Sequence, residues 1–132
     1  MGASSTVFKA TALFLGFFGF QFAVVPDFLM SENFQDGSYV LDKWHYFVMR
    51  GCGCAFLGLA AFYWLAADQA DKFMLASTMT FIATSVMLPF NAQMNLPVNM
   101  PKHLIPVVGC ALIILGKLYC LMNPEVKKGK KK

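Results

Sequence analysis

Arg50 lies six residues inside Trp44, in an apolar run (Trp44–Ala67) with no other Lys, Arg, Asp or Glu. At a helical rise of 1.5 Å per residue that places it about 9 Å along the helix. A charge so deep in lipid costs a few kcal/mol unless it finds partners or reaches the interface. Gln21 lies five residues inside Pro26, at a matching depth on the preceding helix, and Thr84 and Ser85 close the third apolar run. Arg50, Gln21, Thr84 and Ser85 together would form a polar pocket for a lipid head or a quinone oxygen. Arg50 could instead pair with Asp27 or Asp42, or snorkel to the surface.

Other reactive side chains converge less well. His45 and His103 both fall at apolar boundaries, but a metal normally needs a third ligand, so no metal site is expected. Cys52, Cys54, Cys110 and Cys120 lack the spacing of a zinc, thioredoxin or disulfide framework and read as buried, inert thiols. Ser77, Thr80 and Thr84 share one helix face, where hydroxyls usually bond backbone carbonyls. No acid–base pair or nucleophile set appears, so no catalytic residue is assigned. No motif calls for a cofactor; a bound lipid, quinone or pigment is what such a pocket would take.

These residues must be positioned by membrane helices. Hydrophobic residues make up 58% of the chain and charged residues 14%, against about 45–50% and 25% in soluble domains. Four apolar stretches, about 8–25, 44–67, 73–88 and 104–121, approach or reach the roughly 17–25 residues that span a bilayer. The expected fold is all-α, an integral membrane four-helix bundle forming one domain over 1–132, with a basic tail at 125–132. No room remains for a soluble catalytic domain.

Prolines punctuate this layout. Pro26 stops the first helix, Pro89 bounds the third, and Pro106 falls in the first turn of the fourth, where a missing N–H is harmless. The first stretch reads as a retained helix rather than a signal peptide, because it lacks a small-residue cleavage site. The net charge of +4 resides almost wholly in Lys127, Lys128, Lys130, Lys131 and Lys132. Lysines mark the cytoplasmic-equivalent side, so both termini and the ADQADK turn belong there, with the other two connections opposite. Lys117, about one turn from the lysine-rich end, is expected to snorkel. Membrane lipid is the expected partner of the tail, and nucleic acid is not. The start matches a myristoylation pattern and the end a dilysine retrieval signal, though an ordinary polar head and a positive-inside tail account for the same residues. The membrane could be endoplasmic reticulum, mitochondrial or plastid.

Gly51, Cys54, Ala55, Gly58 and Ala61 recur every three or four residues, a stripe that lets another helix approach closely. It is expected to meet a neighbour within the bundle or in a larger assembly. The first half, in LGFFGFQFAVVPDFLM and FVMRGCGCAFLGLAAFYW, resembles the DoxX-like small four-helix membrane proteins. That resemblance implies a compact four-helix bundle, with Arg50 and Gly51 as the matching positions and a link to quinone-dependent redox complexes. The leading expectation is a non-catalytic accessory subunit of a respiratory or photosynthetic membrane complex. Its alternatives are a quinone- or lipid-binding redox component and a small transporter.

Overall fold

The structure is a computed structural model that describes residues 2–37, 39–71, 73–79 and 92–123. Among these residues the fold is all-helical apart from one isolated bridge pair. Three helices are long and apolar enough to cross a membrane: α1 (Ala3–Val24), α3 (Lys43–Ala66, continued by a 3-10 turn, Ala67–Gln69) and α5 (Leu104–Met122). At 1.5 Å per residue they measure roughly 28–36 Å, against a hydrocarbon layer of about 30 Å. The third expected span, 73–88, is represented by helix α4 (73–79), and the rest lies outside the described residues.

Local chemistry sets the boundaries. Val25 precedes Pro26, a position that disfavours helix, and its N–H closes α1 on the Gln21 carbonyl at 3.1 Å. The chain then restarts at once as α2 (Pro26–Asn33), with Pro26 in the first turn and Asp27 favoured by the helix dipole. The expected plain connection thus holds an eight-residue helix, too short and too polar to show in hydropathy. Asp42 caps α3, its Oδ1 accepting from the backbone N–H of Trp44 at 2.8 Å and of His45 at 3.0 Å. Asp71 does the same for α4 through Met74 N–H at 2.9 Å.

Helix α1 is the centre of the assembly. Its glycine face meets α3, antiparallel: a Cβ added to Gly53 would sit 2.7 Å from the Gly19 carbonyl oxygen and 2.8 Å from Ala23 Cα. Only paired backbones without side chains pack so closely. On its other side α1 meets α5, where Phe14 and Val7 lie over Gly109 and Gly116, each pair seven residues apart. The buried core runs through Phe8, Ala12, Leu15, Tyr63, Ala67, Leu75 and Cys120.

The expected small-residue stripe is therefore not the internal seam. Gly51, Cys54, Ala55, Gly58 and Ala61 are all exposed, and a Cβ at Gly51 or Gly58 would meet nothing within 4 Å. Gly53 stands one or two residues off that stripe and is buried. The cysteines divide likewise: Cys110 and Cys120 are buried as expected, while Cys52 and Cys54 are exposed.

The two ends of the bundle are each tied together. At one, Ser5 donates to Asp68 at 3.0 Å, and Lys9 pairs with the same carboxylate at 3.5 Å while lying over the Trp64 ring. The first turns of α1 and the 3-10 turn thus share one end of the bundle. At the other end, Phe34 and Val98 form a bridge through Gln35 N–H to the Pro97 carbonyl (2.9 Å) and Asn99 N–H to the Asn33 carbonyl (2.8 Å). Lys102 and Glu32 add an ion pair at 2.8 Å. The first and third connections together form a lid.

Candidate functional site

Beneath that lid is a cavity of about 410 Å³, within the 300–1,000 Å³ range of small-molecule sites. Phe14, Leu15, Phe18 and Phe22 of α1 form one wall, and Met49 and Phe56 of α3 another. Leu29 and Met30 of α2 and Pro106 and Cys110 of α5 also line it. Every third or fourth residue of α1 from Phe14 to Phe22 faces inward, the helical period putting the rings on one side. They cannot close the space because Phe14 is drawn against Gly109 and Phe22 stacks edge-on with Phe56 at 5.7 Å. Among the described residues, the polar side chains at the lid end are Asn33, His45 and His103. His103 was expected at the interface. It turns inward instead, 3% exposed, with its ring 6.1 Å from Phe34.

Arg50 lies elsewhere. It sits in an open groove with Asp27, Lys43, Tyr46, Phe47, Gly51 and Cys54, its guanidinium 5.9 Å from the Tyr46 ring. That ring lies one turn toward the lid end, so the side chain reaches back toward the interface. Asp27 accepts the Tyr46 hydroxyl, Asp42 caps α3, and among the described residues Arg50 has no ion pair. Gln21 is half-buried between Gly19 and Ala23, level with residues 53–57, and does not line the groove. Thr84 and Ser85 lie outside the described residues. Among the described residues no cluster of His, Cys, Asp or Glu could hold a metal.

The second polar centre was missed by the sequence reading. Lys117 does not snorkel: it is 0% exposed. Its ammonium donates to Tyr63 Oη at 3.0 Å and Thr78 Oγ1 at 2.9 Å, and lies 4.6 Å from the Tyr63 ring and 5.6 Å from the Phe8 ring. Thr78 in turn donates to the Met74 carbonyl at 2.7 Å. α1, α3 and α5 contain no Asp or Glu, so rings and hydroxyls replace a counter-ion. A signal was present: Cys110, Ile113, Lys117 and Cys120 follow helical spacing and are all buried, so the lysine sits on the inward stripe.

Neither the curated proteins nor the solved structures yield a match to this chain. One family model, described as "Domain of unknown function (DUF8292)", matches residues 9–132, and the chain belongs to that family.

Proposed function

We propose that the chain is a multi-pass membrane protein that binds an apolar, lipid-sized molecule in the cavity beneath its lid. The 410 Å³ space walled by phenylalanines of α1 carries this reading. A half-open space of that size between helices is within the range that small-molecule sites occupy. The quinone- or lipid-binding alternative drawn from the sequence is therefore favoured, with its site moved from Arg50 and Gln21 to the cavity. We also take 73–88 as a fourth span, which would complete the DoxX-like bundle, and place both termini on the cytoplasmic-equivalent side because of the lysine tail.

The test is native mass spectrometry of protein purified in mild detergent, with Cys110→Trp as the variant that fills the deep end. Wild-type protein should carry a lipid-sized adduct, and the variant, shown to be folded by its melting curve, should not. An adduct-free wild type, or equal loading of both, overturns the reading.

An accessory-subunit role is the second reading, supported by the exposed face of Gly51, Cys54, Ala55, Gly58 and Ala61. Cross-linking through Cys54 in native membranes should then capture a fixed partner chain. A purely lipid-facing surface would give none.

A further inference from the structure

Arg50 stands on a face of α3 that looks away from the bundle. Its neighbours Phe47, Gly51 and Cys54 are exposed, and a Cβ at Gly51 would meet nothing within 4 Å. With α3 spanning a membrane, that face lies against lipid. Lys43, the first residue of α3, lines the same groove about two turns nearer the lid end. Among the described residues neither cation makes an ion pair. The carboxylate that lines the groove with them, Asp27, accepts the Tyr46 hydroxyl. Two cations thus face one carboxylate, and the groove carries an excess positive charge. The Arg50 guanidinium lies against the Tyr46 ring, 5.9 Å from its centre, and so is turned toward the end where Lys43 stands. An unpaired guanidinium facing hydrocarbon is costly, and its planar fork fits phosphate oxygens two at a time. The anion that a bilayer presents at the end of a spanning helix is the phosphate of a lipid head.

We propose that this groove holds an anionic phospholipid, with its phosphate between Arg50 and Lys43 and the start of an acyl chain over Gly51 and Cys54. The missing side chain at Gly51 lets that chain come close to the α3 backbone. A singly anionic lipid neutralises the groove, whereas a zwitterionic head brings a cation of its own and leaves the excess charge in place. One such charge at a membrane surface is worth about fivefold in affinity for anionic lipid. The groove and the cavity share no lining residue, so this lipid is separate from any molecule beneath the lid.

The experiment uses the full chain in phosphatidylcholine vesicles. These contain a trace of either phosphatidylglycerol or phosphatidylcholine with a diazirine near the glycerol end of one acyl chain, and mass spectrometry locates the labelled residues. Phosphatidylglycerol should label residues 47–54 about fivefold more than phosphatidylcholine does. Ile105 and Val108, exposed on α5, should take both lipids equally. In Arg50→Gln and in Lys43→Gln, each with unchanged helicity, the ratio at residues 47–54 should fall to about one, because the groove is then neutral. Equal labelling by the two lipids in the wild type, or a ratio untouched by both substitutions, overturns the proposal. Labelling at Ile105 and Val108 with none at residues 47–54 also overturns it, since a second copy of the chain then covers the groove. Labelling nowhere overturns the membrane placement of the chain, and the lipid site with it.

Discussion

Replacing Gly53 by alanine is the sharpest test of how this bundle is held together. The added Cβ would meet the Ala23 backbone nitrogen first and stand 2.7 Å from the Gly19 carbonyl oxygen, where ordinary contact begins at 3.4 Å, a shortfall of at least 0.7 Å. The opposing atoms are backbone, so no side chain can swing away, and α1 and α3 must move apart by most of that distance. Dispersion falls steeply with separation, and a gap of 0.5–1 Å already forfeits a quarter to a half of each contact. Overpacking of this kind costs about 1–3 kcal/mol, and a rigid clash between two backbones belongs at the upper end. Gly58→Ala is the control, because a Cβ there meets nothing within 4 Å. Equilibrium unfolding by SDS titration in mixed micelles, with helicity as the signal, should show Gly53→Ala destabilised by about 2–3 kcal/mol and Gly58→Ala essentially unchanged. Equal stability of the two variants refutes the assignment of Gly53 to the seam.

Further outcomes are expected at Lys117 and at Asp42. Replacing Lys117 by methionine, similar in shape and uncharged, should leave stability nearly unchanged or raised, since buried charges often lose little to isosteric apolar residues. The pair Tyr63→Phe and Thr78→Val, which keeps the ammonium and removes both acceptors, should unfold at lower SDS. Near the lid, the His45 backbone N–H, together with the His45 ring and the Trp44 N–H, holds the Asp42 carboxyl below its ordinary value of 3.8. A carboxyl with a lowered folded-state pKa stabilises the fold above its unfolded value, and that contribution fades as pH falls through the folded one. Acid titration below about pH 4 should therefore loosen the start of α3 first, seen as faster exchange of the Trp44 and His45 amides. Asp42→Ala should remove that pH dependence.

Much of this architecture could be read from the sequence, and the misses have definite causes. Hydropathy located α1, α3 and α5 to within a few residues because lipid imposes long apolar runs with few exceptions. It passed over α2, since PDFLMSEN is held by a proline start and tertiary contacts rather than by apolar content. The glycines of α3 showed that a close approach exists, but Gly51 and Gly58 lie on a different face from Gly53. Only the position of Gly19 on the partner helix decides between the faces. Arg50 drew attention because it interrupts an apolar run, yet its length lets it reach the surface. Lys117 was dismissed on the same argument, and there the direction of its helix face outweighed its reach. The cavity had no sequence signature, because its walls come from separate segments spread between Phe14 and Cys110, and its space depends on where Phe14 and Phe22 are drawn.

The cage around Lys117 also bears on how the chain assembles. Phe8, Tyr63 and Thr78 all precede the lysine in the sequence, so each can be in the membrane before α5 leaves the ribosome. A lone lysine entering lipid is costly, whereas one sliding against waiting hydroxyls and rings meets its partners on arrival. The Gly109 and Gly116 faces would seat α5 against Phe14 and Val7 in the same movement. The last helix therefore carries a group that is at home only in a finished bundle, and its settling is a built-in check that α1, α3 and α4 have come together.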